Sequence, residues 1–249
     1  MRSPIMTEVK NAVRELIEQD RTVLDLPVDV RTLSPLEAIG NPGDWDFPLL
    51  RGREILLQAT FRNSFGQAFT SNPTPYQGTL AEVMALDLDC LEKRAIFIAV
   101  LNAFLNDRGL IKSTIHCRNN DPEECGKQIA GYLKKKYNPS KIGVAGYQPA
   151  LISALCETFN SDQIEVTDLN ADNLEKIYQG IKIKDGIKDT AALIENCDLL
   201  LVTGSVFAND TAEPFYKAAL DQKSVYFFGT TVSGIAKILN LPHLCPLGS

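Results

Sequence analysis

From Lys141 to the end of the chain, short apolar strands alternate with helices, and this alternation limits the fold more than any other feature. The strand segments read KIGVAGY, IEVTDLN, DLLLVTGS and SVYFFGTT, with IKIKDG as a shorter candidate. Helical segments lie between them, namely PALISALCETF, DTAALIENC, TAEPFYKAAL and VSGIAKILN. Strands that alternate with helices are joined by crossovers and form a parallel sheet with helices on both faces. The pattern therefore predicts an α/β domain over residues 138–249.

The first part of the chain has a different pattern. The segment REILLQATFRNSFGQAFTSN predicts two strands joined by a turn, and LAEVMALD and CLEKRAIFIAVLNAFLND predict helices. The second of these helices is apolar on nearly all faces, so we expect it at the centre of its domain. The segment LSPLEAIGNPGDWDFPLLRG, rich in proline and glycine, is expected to be irregular. A hairpin followed by helices predicts an α+β domain over residues 1–137, ending near YNPS.

Composition excludes several classes of function. The chain has 249 residues, of which 45% are hydrophobic and 22% are charged, and its net charge is −6. An acidic balance disfavours nucleic acid and anionic membranes as partners, and we expect neither. No segment resembles a signal peptide or a membrane span, and the six cysteines contain no CxxC motif. These features predict a cytoplasmic protein with reduced thiols. They leave the oligomeric state open, a homo-oligomer included.

The predicted parallel strands end in small, polar or acidic residues. Ligands of open α/β sheets bind beyond the carboxyl ends of the strands, so these ends predict a pocket for a small polar ligand. The candidate ligand-binding residues are Gly146, Tyr147, Pro149, Asp168, Asn170, Thr203, Gly204, Ser205, Asn209, Thr211, Gly229 and Thr230. Asn209 and Thr211 have a second interpretation as caps of the following helix, and both roles can coexist.

The turn after the first parallel strand lacks the G-x-G-x-x-G pattern of dinucleotide-binding proteins. Tyr147 and Gln148 occupy the positions where a pyrophosphate would need space. Asp168, however, follows Gly146 at about the spacing of a ribose-binding acid. The alternative to a simple ligand-binding protein is therefore an enzyme that uses a nucleoside-bearing cofactor such as S-adenosylmethionine. The structural interpretation, in which Asp168 and Asn170 only form a turn, stays equally open.

Candidate metal ligands are few because the chain has only two histidines. The segment HCRNNDPEEC offers His116, Cys117 and Cys125, whose soft donors suit zinc, copper or nickel. Their spacing matches no established zinc motif, and packing of Cys125 with hydrogen bonding by His116 is the other interpretation. His243 and Cys245 form a second pair that could join the first if the chain end folded back. No catalytic motif is present, so the sequence does not decide whether the protein is an enzyme.

Four segments carry a resemblance to a known family: IGVAGYQPAL, VTDLN, LLLVTGSVFANDT and VYFFGTT. They resemble a family of uncharacterised prokaryotic proteins described as a heavy-metal-chelation domain. The resemblance implies a Rossmann-like carboxy-terminal half and an amino-terminal half similar to the small first domain of enolases. It also implies a pocket between the halves and a role with a transition metal or a metal-chelating cofactor. The turn at Gly229-Thr230-Thr231 departs from the family's expected Gly-Pro-Ser type.

Overall fold

A computed structural model describes residues 3–41 and 54–249 and contains two β-sheets with helices around them. Its helices are α1 Pro4–Glu18, α2 Pro35–Ile39, α3 Leu80–Ala85, α4 Leu91–Asp107, α5 Asp121–Lys136, α6 Pro149–Thr158, α7 Thr190–Asn196, α8 Ser205–Ala208, α9 Glu213–Leu220 and α10 Ser233–Ile238. Its strands are β1 Pro27–Thr32, β2 Ile55–Phe61, β3 Ser64–Thr70, β4 Tyr76–Thr79, β5 Ile142–Ala145, β6 Ile164–Asp168, β7 Ile177–Tyr178, β8 Ile181–Asp185, β9 Leu199–Thr203, β10 Ser224–Phe228 and β11 His243–Leu244. None of the helices in this described part has the length and apolar character that crossing a membrane requires.

The first sheet is antiparallel, with strand order β3-β2-β1-β4. The predicted hairpin is confirmed as β2 and β3, and its turn is formed by Arg62, which has a φ of 51°, and Asn63. Helix α4 crosses this sheet at Gly66. A Cβ atom at Gly66 would lie 2.1 Å from the backbone nitrogen of Ala103, so only glycine allows the helix to pack this close. As expected from its apolar faces, α4 is buried along most of its length.

The second sheet has strand order β11-β10-β9-β5-β6-β8-β7. All neighbouring strands are parallel except β7 and β8, which pair antiparallel. The predicted parallel α/β arrangement is thus confirmed for the five predicted strands. The chain runs outward from β5 to β6 and β8, and then returns to the other side of β5 to form β9 and β10. The sheet therefore has its switch point between β5 and β9, where a ligand-binding crevice is expected.

Two apolar cores cover the two faces of the second sheet. On one face, α5 and α6 pack together through side chains such as Ile129, Leu133 and Leu151. On the other face, side chains of β9 and β10 share a continuous core with α4 and the first sheet. Helix α5 precedes residue 137 in the chain but packs on the second sheet. The contacts of that sheet therefore include residues on both sides of the predicted domain boundary. The domain division at residues 137 and 138 stays a prediction.

Asn102, in the middle of α4, ties the first sheet to the second. Its side chain is fully buried. Its Nδ2 donates to the carbonyl oxygens of Gln67 at 2.8 Å, Thr230 at 3.0 Å and Thr231 at 3.2 Å. Its Oδ1 accepts the N–H of Gly234 at 2.7 Å. One amide thus pairs four backbone groups that come from β3 and from the segment after β10.

Several elements differ from the sequence expectations. Helix α2 lies inside the segment expected to be irregular, and a capping box between Ser34 and Glu37 accounts for its start. Residues 42–52 of that segment lie outside the described residues. Strands β1 and β4 were not predicted, although both pair fully in the first sheet. Their polar and proline-containing sequences, PVDVRT and YQGT, give little alternation of apolar residues.

Candidate functional site

A pocket of about 410 Å³ opens at the switch point of the second sheet. Its floor is formed by the carboxyl ends of β5, β6, β9 and β10, and residues from the first part of the chain close the other side. The volume lies in the range of small-molecule sites. The strand ends predicted from the sequence therefore meet at one pocket.

The turn after β5 brings Gly146 against the end of β9. Gly146 has a φ of 106°, and a Cβ atom there would lie 2.6 Å from Cγ2 of Thr203. Glycine is thus required both by the backbone angle and by the neighbouring strand. The helix that follows is capped by its own chain, because the side chain of Gln148 accepts the N–H of Leu151. Pro149 at the start of α6 contributes no N–H, which leaves few donors for a pyrophosphate.

Asp168 organises this turn through its carboxylate. Its Oδ2 accepts the N–H of Tyr147 at 2.7 Å. Its Oδ1 accepts the N–H of Asn170 at 2.8 Å and the Nδ2 of Asn173 at 3.1 Å. Three hydrogen bonds within the protein therefore occupy most of the accepting capacity of Asp168. The bond from Tyr147 also takes up one of the N–H groups of this turn, which a pyrophosphate would need.

The segment after β9 forms a polar wall. The hydroxyl oxygens of Thr203 and Ser205 lie 3.2 Å apart, and Asn209 and Thr211 line the same side of the pocket. Helix α9 begins after Ala212 without a side-chain cap, so the expected capping role of Asn209 or Thr211 is not found there. The Thr211 hydroxyl is buried without a hydrogen-bond partner in the described part of the chain. Both residues line the pocket, and ligand binding by them stays a prediction.

The opposite wall comes from the first part of the chain and contains Glu54, Phe69 and His116. Burial and the charge of Asp168 raise the pKa of Glu54 to about 7. Burial lowers the pKa of His116 to about 4, so its imidazole is neutral at pH 7. Its Nδ1 is buried without a hydrogen-bond partner among the described residues. Glu54 was not a sequence candidate, because a single acid before a strand carries no signal of its own.

A third wall carries three thiols. Cys117, Cys125 and Cys245 all line the pocket, and all three cysteines are free. The sequence suggested that His243 and Cys245 could approach the first pair if the chain end folded back. Cys245 does so, whereas His243 bonds through Nε2 to the Gly229 carbonyl at 2.9 Å.

Most of the predicted site residues lie on this pocket. The structure brings together Gly146, Tyr147, Asp168, Asn170, Thr203, Gly204, Ser205, Asn209, Thr211, Gly229, His116, Cys117 and Cys125. Pro149 and Thr230 are not among the lining residues, and Thr230 is fully buried beneath the pocket wall. Thr231 lines the pocket in its place, while its hydroxyl accepts the N–H of Phe69 at 3.0 Å.

The predicted metal ligands do not form a metal centre on their own. Within residues 3–41 and 54–249, no group of three or more His, Cys, Asp or Glu side chains could hold a metal ion. His116 and the two cysteines line the same pocket, but their arrangement lacks the convergent geometry that a closed site needs. Metal binding by His116, Cys117 and Cys125 stays a prediction.

Comparisons with known proteins relate the chain only to solved structures. No family model matches the chain, and no curated protein matches it. It is similar to a DUF364 family protein of unknown function from Pyrococcus horikoshii, with a TM-score of 0.52 and 14% identity over 91% of this chain and 79% of that one. It is also similar to a DUF364 family protein of unknown function from Desulfitobacterium hafniense DCB-2, with a TM-score of 0.50 and 11% identity over 74% and 72% of the two chains. At such low identities the likeness concerns the fold alone, and the chain shares the fold of these DUF364 proteins.

Proposed function

We propose that the protein binds a small polar organic ligand without a phosphate group in the pocket at the switch point. The observation that carries this proposal is the pocket of about 410 Å³ whose walls come from both sheets and their connections. Its polar groups converge from the ends of four parallel strands, while apolar side chains such as Phe69, Phe215 and Phe228 supply the remaining lining. Apolar walls with a few placed polar groups are typical of small-molecule sites.

The charges on the walls support a neutral or positively charged ligand. No lysine or arginine lines the pocket within the described residues, whereas Glu54 and Asp168 do. The His116 imidazole adds no positive charge at pH 7, since burial lowers its pKa to about 4. Among the described residues, a phosphate would meet two carboxyl groups and no cation, and burying a charge without a partner is costly. An ammonium or neutral polar group would instead meet oxygen acceptors.

The finer fold assignment and the domain division are also part of the proposal. We infer an amino-terminal half similar to the first domain of enolases over residues 1–137, and a Rossmann-like half over residues 138–249. The antiparallel sheet with α4 packed on it supports the first assignment. The parallel strands on either side of the β5 switch point support the second. The proposed pocket then lies between the two halves.

A metal-chelating ligand is the second form of the same proposal. The neutral His116 imidazole and the soft sulfur donors of Cys117 and Cys125 line the same pocket. They could complete the coordination of a transition metal that enters with its own ligands. Elemental analysis of the purified protein tests this form. A transition metal held at one ion per chain and lost with Cys117→Ala would support it, and protein that takes up none after incubation with zinc or copper salts would exclude it.

The alternative function, an enzyme that uses a nucleoside-bearing cofactor, requires Asp168 to hold a ribose. Asp168 already accepts hydrogen bonds from Tyr147, Asn170 and Asn173. We therefore expect adenosine, NAD and S-adenosylmethionine to leave the melting temperature unchanged in a thermal-shift assay. A rise in melting temperature with S-adenosylmethionine that Asp168→Ala abolishes would favour the alternative.

A thermal-shift screen of neutral, cationic and phosphorylated small molecules tests the proposed binding. We expect neutral or cationic compounds to raise the melting temperature. Removing one polar contact at the pocket, by Asn209→Ala or Glu54→Gln, should weaken their binding about tenfold, equivalent to 1.4 kcal/mol. Gln77→Ala is the matched control, because Gln77 lies on β4 and bonds the Asp29 carboxylate outside the pocket. The proposal fails if no compound binds, or if both pocket variants bind like the control.

A further inference from the structure

Two large apolar side chains are exposed at the edge of the pocket, and together they form an apolar rim. Leu169 follows β6, and Ile187 lies in the loop after β8. Both line the pocket, although Leu169 is 42% exposed and Ile187 is 80% exposed. A single exposed apolar side chain is common on a protein surface, whereas neighbouring ones beside a pocket are typical of a ligand-binding groove.

The two loops that carry the apolar rim are fixed against each other. The N–H of Gly186 donates to the Asp168 carbonyl at 2.8 Å. A Cβ atom at Gly186 would lie 2.9 Å from that carbonyl and 3.2 Å from Cδ2 of Leu169, so the Leu169 side chain lies beside the loop of Ile187. The Asp185 carboxylate accepts the N–H of Ile187 at 2.8 Å. A hydrogen-bonded turn therefore holds Ile187 in its exposed position.

The strand order separates the apolar rim from the polar wall. The hydroxyls of Thr203 and Ser205 lie at the end of β9, whereas the rim lies at the ends of β6 and β8. In the sheet, β5 stands between β9 and β6, and β8 follows β6. Neighbouring strands lie about 5 Å apart, so the polar wall and the rim are separated by roughly 10 Å or more. A ligand that reaches both must be elongated, with a polar end and an apolar end.

We propose that the ligand of this pocket is an amphipathic molecule, whose polar end lies between Glu54 and the polar wall and whose hydrocarbon chain lies on the apolar rim. This inference rests on the proposed binding of a neutral or cationic ligand and names its chemical class. Most of the surface inside the pocket is also apolar, which favours a hydrocarbon chain over a second polar group. Contact between the chain and the rim removes apolar surface of both partners from water, and this stabilises the complex.

Calorimetric titration of the full-length protein with n-alkyl primary amines and amides, from propyl to octyl, tests the class of ligand. A fully buried methylene group strengthens binding about fourfold. We expect a gain of about twofold to threefold per methylene, because the rim stays partly open to water. An affinity that does not rise with chain length overturns this inference while leaving the proposed function in place. If no compound of the series or of the thermal-shift screen binds, the proposed function fails as well.

Two variants test the apolar rim itself. Leu169→Ser and Ile187→Ser each replace an exposed apolar side chain by a polar one, and each should reduce the ratio of octylamine to propylamine affinity about threefold. Ile187 is mostly exposed, so its replacement should leave the fold intact. Ile177→Ser is the matched control, because Ile177 is 76% exposed on β7 and is not among the lining residues. Ratios that match the control in both rim variants would overturn the assignment of Leu169 and Ile187.

Discussion

Asn102→Ala is expected to lower the free energy of unfolding by about 4 kcal/mol, because four buried backbone groups each lose a hydrogen bond, and of these the Thr230 carbonyl keeps the N–H of Ser233. Each buried group left without a hydrogen bond costs about 1–3 kcal/mol. The Asn102 side chain serves three carbonyl groups and one N–H, and all the residues involved are buried. The variant should also loosen the segment from Gly229 to Thr231 at the edge of the pocket.

Urea unfolding measures this change directly. An unchanged slope of the unfolding free energy against urea concentration shows that the folded state is as compact as in the natural protein. Asn106→Ala is the matched control, since the Asn106 side chain donates one bond of 3.3 Å to the Ile111 carbonyl and is partly exposed. We expect that control to lose less than about 1 kcal/mol. A loss of under 1 kcal/mol in Asn102→Ala as well would contradict the view that this amide joins the two sheets.

Glu54→Gln is expected to change how stability depends on pH. The pKa of Glu54 rises from 4.5 to about 7 on folding, so the folded state holds a proton that the unfolded state releases. Stability from this group is present below pH 4.5 and is lost as the pH rises through 7. One pKa unit corresponds to 1.36 kcal/mol. The free energy of unfolding of the variant should therefore exceed that of the natural protein by at most about 3 kcal/mol at pH 8. The difference should vanish near pH 4.5.

His116 has the opposite dependence. Its pKa falls from 6.5 to about 4 on folding, so its contribution is present above pH 6.5 and is lost as the pH falls towards 4. Between pH 4.5 and 6.5 the effects of Glu54 and His116 oppose each other in the natural protein. Glu54→Gln removes one of them, so its stability should fall more steeply on acidification.

Unfolding free energies at pH 8, 6.5 and 4.5 provide the measurement. Glu123→Gln is the control, because Glu123 is exposed on α5, and its difference from the natural protein should stay within a few tenths of a kcal/mol. A difference for Glu54→Gln that stays constant with pH would show that Glu54 is not protonated in the folded state at pH 6.

The sequence predicts the second sheet well because its signals are local. Each buried strand is a short apolar run with glycine or polar residues after it, and parallel strands direct these ends to one edge. At the ends of β5, β6 and β9, every predicted polar residue therefore lies on the pocket. The end of β10 contributes only in part, because Gly229 and Thr231 line the pocket while Thr230 is buried.

The remaining half of the pocket depends on contacts between distant parts of the chain. Glu54 precedes a strand of the first sheet, and its raised pKa comes from burial in the folded protein and from the charge of Asp168. Cys245 reaches the pocket because the chain end is hydrogen-bonded to residues 113–115. Neither approach follows from periodicity or spacing. Likewise, Asp168 was a candidate ribose acceptor from its spacing, and only the tertiary structure reveals its bonds to the neighbouring turns.

The most direct test of the account is a crystal structure of the protein with the tightest-binding compound from the thermal-shift screen. We expect electron density for that compound between Glu54 and the ends of β5, β6 and β9, with its neutral or cationic polar group towards Glu54. Density at any other surface, or a phosphate group bound at the turn after β5, would contradict it.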